Sequence, residues 1–292
     1  MNGSGAQDLF ESIDDFEDKT IDCLSAVHSS FGECLSIMKE MEHMDLETRQ
    51  GKRLGGFSIN LPISKVSYIF MSANNSSQDI RTMVHESGHA IHNCMMRSFD
   101  LESASNPPFE VAELVGLTME LLTMEHWGIY FKNSDQLRAA KIQQLTKVLD
   151  TLCWVATIDK FQHWIYLHPN HTRNERVNAW VEIFKEFDSE IVDRTDLEKY
   201  TNYIWHRQMH IFSLPFYYIE YGFAQLGALA IWKEYRMNPE RTIKNFRKAM
   251  KLGNTRTLKE IYKTSGVAFD FSPEFVRELM AFVHEELNEL QQ

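Results

Sequence analysis

Apolar and polar positions alternate along this chain mostly at helical spacing, with few interruptions. From residue 10 to 44 the apolar positions recur with a period that predicts helix. Residues 45–56 are charged and glycine-rich and read as a loop. Residues 57–62 and 66–71 carry Ile, Val, Tyr and Phe around Pro62-Ile63-Ser64-Lys65, the one segment with strand–turn–strand character. The polar stretch 73–78 leads into the next helix, with Ser77 or Asp79 as its expected cap. Helical spacing then predicts one helix through His85 and His89, a second from near Phe109 to about Trp127, and a third from near Asp135 past Leu152. Pro169-Asn170-His171 interrupts the pattern, which resumes over 174–187. Pro215 punctuates the segment before Tyr217, and Pro273 after Ser272 opens a last helix. The Trp154, Phe161, Trp164 and Trp180 side chains read as core. These features predict a mostly α chain with a small β element, in a single domain.

Composition changes this picture little. With 292 residues, 43% of them hydrophobic, the chain can bury a substantial core. Its net charge of −11 argues against nucleic acid or an anionic membrane as a partner. No apolar run is long enough to cross a bilayer. Residues 1–7 are small and polar, unlike a signal peptide. The four cysteines, Cys23, Cys34, Cys94 and Cys153, form no C-x-x-C pair and read as reduced, mostly buried thiols. These features together predict a cytoplasmic protein.

The candidate chemistry lies in His85-Glu86-Ser87-Gly88-His89, an H-E-x-x-H pattern. On a helix, positions i and i+4 share a face, so both imidazoles can reach one cation. Glu86 lies around the helix from them, where it can act on a water as general base. Imidazole with carboxylate suits Zn²⁺. With 12 histidines in the chain a chance match is the competing reading. Ile80, Met83, Val84 and Ile91 give the segment the apolar side of a core helix, which favours the metal reading. A third ligand is required. The positions where a metzincin would place Gly and a further His hold His92 and Met95, so that pattern fails. Candidates are Glu102, Glu110, Glu113, Glu120 and Glu125. Glu102 falls in a polar loop. Glu113 is flanked by Val111, Ala112, Leu114 and Val115, where a carboxylate needs a partner. Spacing alone does not separate Glu113 from Glu110 or Glu120.

Several further segments carry a resemblance. They are Asp45-Leu46-Glu47 with Gly51-Lys52 and Gly55-Gly56-Phe57, then Tyr68-Ile69-Phe70-Met71, then Met83 through Ala90 with Gly88 before the second His. Glu110-Val111-Ala112-Glu113-Leu114 and Met119-Glu120-Leu121 follow, and finally His210-Ile211-Phe212 running into Pro215 through Gly222. In this order they resemble the thimet oligopeptidase and oligoendopeptidase F family of zinc peptidases. The resemblance runs from about Asp45 to the C-terminus. It implies a zincin-like helical peptidase catalytic domain over residues 45–292, compact with the helical segment 1–44, with a small β-hairpin or sheet near the active site. It implies one Zn²⁺ per chain held by His85, His89 and Glu113, with Glu86 catalytic and His92 not a ligand. It also implies that His210, Tyr218 and Tyr221, with Tyr217, bind the substrate backbone and stabilise the oxyanion. At i,i+3, Tyr218 and Tyr221 would sit side by side on a helix. An edge strand within 57–71 would pair with an extended peptide. His163, His168 and His171 are read as surface or loop histidines.

The expected activity is hydrolysis of short peptides. Full-length relatives carry a helical lobe on the N-terminal side that is mostly absent here. The alternative reading is therefore a zinc- and peptide-binding remnant with little or no catalysis. An apolar face left without that lobe would suit a second copy, so a homo-oligomer is among the expected arrangements.

Overall fold

A computed structural model describes residues 9–189 and 191–292. Residues 1–7, read above as unlike a signal peptide, lie outside them. The described residues fall into two compact units. One comprises the chain up to Gln143 together with Ala224–Gln292, and the other is Gln144–Phe223.

The first unit opens with two helices, α1 (Ile13–Val27) and α2 (Ser29–Glu40), where one continuous run was expected. The break is at His28, whose backbone is extended and whose Nδ1 accepts the Ser30 N–H at 3.1 Å. His28-Ser29-Ser30 is capping chemistry inside an apolar period, so the periodicity continues while the helix restarts. A three-stranded sheet follows, built from β1 (Met44–Glu47), β2 (Phe57–Leu61) and β3 (Val66–Ala73), in the order β1-β3-β2. β2 and β3 form the expected antiparallel hairpin. β1 corrects the loop reading of 45–56: it pairs in parallel with β3, with Leu46 buried. A four-residue strand with one inward apolar side chain leaves no alternation to detect, and its partner lies well downstream. The charged residues after it fold back onto it. Lys52 Nζ donates to the Asp45 and Glu47 carbonyls at 2.9 and 2.8 Å, and Arg49 grips the Asp45 carboxylate with both terminal nitrogens. β2 is an edge strand among the described residues.

Next come α3 (Ser77–Met96) and α4 (Phe109–Thr123), followed by a 3-10 turn over Met124–Ile129 that ends the helix short of Trp127. Ser76 caps α3, and Asp79 at the third helical position accepts the Ser76 N–H at 2.8 Å and the Asn74 N–H at 2.9 Å. Neither expected cap, Ser77 or Asp79, holds that position: the cap is Ser76, and Asp79 instead completes the capping box from inside the helix. α3 packs against α4 and β3. The α3–α4 crossing depends on two glycines. A Cβ on Gly88 would lie 3.0 Å from the Gly116 Cα and 3.2 Å from the Val115 carbonyl oxygen, both backbone atoms that move only if the helices separate. Gly88→Val is therefore expected to cost about 1–3 kcal/mol of stability by overpacking, read from chemical denaturation. An unchanged midpoint would show that the two helices do not depend on this close approach.

α5 (Ser134–Leu167) begins in the first unit and continues into the second, which also holds α6 (Arg173–Phe187), α7 (Glu198–Thr201) and α8 (His210–Ser213). Its core gathers Ile158, Phe161, Trp180, Ile183, Phe184 and Trp205, with Trp154 and Trp164 packed against it, as the aromatic pattern predicted. α9 (Ile219–Met237) starts there and returns to the first unit, which is completed by α10 (Pro239–Met250), α11 (Leu258–Ser265) and α12 (Pro273–Gln291). Ser272 caps α12 with Pro273 in its first turn, as expected. The fold is mostly helical with one small sheet. Among the described residues no helix is long and apolar enough to cross a membrane. The cysteines are unbridged. Cys23 and Cys34 are buried, whereas Cys94 is partly buried and Cys153 exposed, so the expectation of mostly buried thiols holds for half of them.

Candidate metal centre

α3 and α4 bring one stripe each to their crossing. On α3 the helical repeat aligns His85 with His89, and on α4 it aligns Glu113, Gly116 and Glu120. His85 Nε2 lies 3.1 Å from His89 Nε2 and 3.4 Å from one Glu113 oxygen, and His89 Nε2 lies 3.8 Å from the other. These atoms form the one His/Cys/Asp/Glu group among the described residues arranged to hold a metal ion. A tetrahedral cation with bonds of about 2.0–2.2 Å sets its ligand atoms about 3.3 Å apart, close to the spacings seen here. Two imidazole nitrogens and a carboxylate, converging on one point, fit such an ion. Both imidazoles are 19% exposed, so one side of the group stays open to solvent.

The surroundings fix each ring. The far nitrogen of His85, Nδ1, meets Glu120 Oε1 at 2.8 Å. A Cβ on Gly116 would lie 2.7–3.0 Å from the His85 ring, so only glycine leaves room for the ring where it stands. Burial works against charging His85, but the Glu113 and Glu120 carboxylates hold its pKa well above the ordinary value. His89 goes the other way, to about 4, through burial and then the neighbouring charge on His85, although its ring also donates to the Ala112 carbonyl. His92 is buried outside the group and donates to the Met250 carbonyl, and burial pushes its pKa down to about 3.

Glu86 is 8% exposed and outside the three-residue group. Burial pushes its pKa up to about 7, against the pull of His85 and of the N–H that Ser58 donates to it. Ser58 belongs to β2, so the edge strand lies against Glu86. A Cβ on Gly56, just before β2, would come within 3.4 Å of a Glu86 carboxylate oxygen.

The structure separates the glutamates that spacing could not. Glu113 joins the histidines. Glu120 sits behind His85 rather than beside Glu113. Glu125 pairs with Arg236 at 3.3 Å, and Glu110 acts on Tyr262. Sequence reading missed the clearance at Gly116 and the Ser58 N–H, because neither has a signal in residue type alone.

In the second unit, His210, Tyr217, Tyr218 and Tyr221 form one aromatic cluster. The His210 ring lies 5.6, 5.0 and 5.7 Å from the rings of Tyr217, Tyr218 and Tyr221. Tyr218 and Tyr221 are neighbours at 5.2 Å, but not as two residues of one helix. α9 begins at Ile219, and Tyr218 belongs to the turn before it, after Pro215 and a Phe216 with φ of 59°. Burial pushes the Tyr218 phenol up to about 12, although the Trp154 indole donates to it. His163 is largely exposed 3.5 Å from Asp159, and His168 and His171 bond to nearby backbone carbonyls on the surface.

Comparison with known proteins agrees with this fold. The profile of Peptidase family M3 matches residues 34–281. The chain belongs to that family. Oligopeptidase PepF of Bacillus subtilis (strain 168) is 24% identical over 271 residues, covering 89% of this chain and 39% of its own length. The solved structure of PZ peptidase A with an inhibitor superposes with a TM-score of 0.84 at 26% identity, over 95% of this chain and 49% of that one. An X-ray structure described as an oligoendopeptidase F gives 0.83 at 27% identity, with the same coverage of 95% and 49%. The chain thus spans about half or less of the length of these relatives.

Proposed function

We propose that this chain carries the catalytic centre of a zinc-dependent endopeptidase acting on short peptides. The observation that carries the reading is the convergence of His85 Nε2, His89 Nε2 and both Glu113 oxygens beside a separate buried carboxylate, Glu86. His85, His89 and Glu113 would hold the ion. Bound there, zinc would supply Lewis acidity and make a water more acidic. Glu86 takes the proton of the attacking water and passes it to the leaving amine. The substrate backbone adds along the edge of β2, the strand that already donates the Ser58 N–H to Glu86. For His210, Tyr218 and Tyr221, with Tyr217, the proposal follows the family resemblance and their clustering: they hydrogen-bond the substrate backbone and the oxyanion. Free cysteines fit a cytoplasmic setting.

Glu120 is assigned to orienting His85 through Nδ1. Glu120→Ala is expected to weaken zinc binding about 10–100-fold, measured by competition with a chromogenic chelator. An unchanged affinity would remove Glu120 from the site.

Cleavage of a quenched fluorescent peptide library tests the activity. Turnover that stops on adding a chelator and returns with zinc is expected, and turnover indifferent to the chelator would contradict the reading. Peptide binding without cleavage is the alternative outcome. Saturable peptide binding with no turnover in the zinc-loaded protein would select it.

A further inference from the structure

The aromatic cluster of the second unit includes a hydrogen-bond chain whose direction can be read. Trp154 Nε1 lies 2.9 Å from Gln208 Oε1, and Gln208 Nε2 lies 2.5 Å from His210 Nδ1. An indole N–H can only donate, so the amide oxygen must face Trp154. The amide NH₂ then faces His210, and an NH₂ can only donate. Nδ1 of His210 must accept. A proton on Nδ1 would set two donors against each other at that distance.

We infer that Gln208, oriented by Trp154, fixes His210 as the neutral tautomer with its proton on Nε2, so that His210 offers its outer nitrogen as a hydrogen-bond donor. Gln208 and Trp154 are positioning residues. Trp154 is itself held in place: its ring meets Trp180 at 5.9 Å and Phe184 at 6.5 Å, both edge-on, against the buried core of the unit. Its indole N–H also reaches the Tyr218 phenol, so one side chain sets two members of the cluster. The use of this donor rests on the proposed peptidase reading, in which His210 binds the substrate backbone or the oxyanion. A neutral Nε2–H serves that role at neutral pH, whereas the other tautomer would present a lone pair to an oxygen and repel it.

The test is nitrogen NMR of the full chain labelled with ¹⁵N-histidine, with the His210 signals assigned by their loss in His210→Gln. The expected spectrum shows an unprotonated Nδ1 and a protonated Nε2. Gln208→Glu replaces the donor by an acceptor, so the proton should move to Nδ1 and the imidazolium should persist about 1–3 pH units higher. Trp154→Phe frees the amide to turn, and a mixture of tautomers is expected. In the peptidase assay at a pH above the range in which that imidazolium persists, Gln208→Glu should lower kcat about 10–100-fold with KM little changed, because the neutral ring then carries its proton on Nδ1 and Nε2 no longer donates to the oxyanion. A wild-type spectrum with the proton on Nδ1, or a Gln208→Glu spectrum identical to wild type, overturns the inference whatever the activity. The predicted tautomer combined with full turnover in His210→Gln supports the hydrogen-bond chain and instead removes His210 from the peptidase site.

Discussion

Glu86→Gln is expected to keep its metal and lose peptide cleavage by about 10²–10⁴-fold, the range for loss of a general base. The substitution is close to isosteric. The amide oxygen can still accept the Ser58 N–H that the carboxylate accepts, so β2 keeps its place against α3. Glu86 is not in the group formed by His85, His89 and Glu113, so zinc content should stay at the wild-type level. What disappears is the ability to take a proton from water, since a neutral amide has no useful basicity. The paired measurements are kcat on a fluorescent peptide and metal content by elemental analysis. Wild-type turnover in the variant would end the general-base assignment. Loss of both metal and turnover would place Glu86 among the ligands instead.

Glu113→Ala is expected to remove the ion altogether. Both Glu113 oxygens face the imidazoles, at 3.4 and 3.8 Å, and two histidines alone leave a divalent ion without its anionic partner. Because an ion that binds only the folded chain stabilises it, zinc at a hundredfold excess over its dissociation constant should raise wild-type stability by about 2.7 kcal/mol. Thermal unfolding of Glu113→Ala should show no such zinc-dependent rise, and peptide cleavage should fall to background. A variant whose melting temperature still climbs with zinc would move the third ligand elsewhere.

Much of this was legible in the sequence because its signals are local. The i,i+4 pair His85/His89 needs only a helix to converge, and the apolar flanks Ile80, Met83, Val84 and Ile91 supply that helix. The β2–β3 hairpin has its turn residues between two apolar runs. The parts that were not legible depend on what lies across the fold. β1 is recognisable only through β3, a partner more than twenty residues downstream with a charged segment between. The choice among Glu110, Glu113 and Glu120 turns on where α4 crosses α3: Glu113 and Glu120 both meet His85 and only Glu113 also approaches His89, a placement that goes with the Gly88–Gly116 approach rather than with spacing along the chain. Tyr218 falls outside α9 because Pro215 and the left-handed Phe216 delay the helix start, whereas the i,i+3 rule assumes a helix already under way. Trp154 was legible as core and packs, partly buried, against the core, but its indole N–H also orients Gln208, a polar role that periodicity does not reveal.

The central claim is that an ion held by His85, His89 and Glu113 makes this chain a peptidase. Zinc titration of the metal-stripped full chain, followed by peptide cleavage, tests it most directly. The account predicts no cleavage without metal, a linear rise with added zinc, and a plateau at one equivalent per chain. Cleavage by the stripped protein, or a rise with no break at one equivalent, would contradict it.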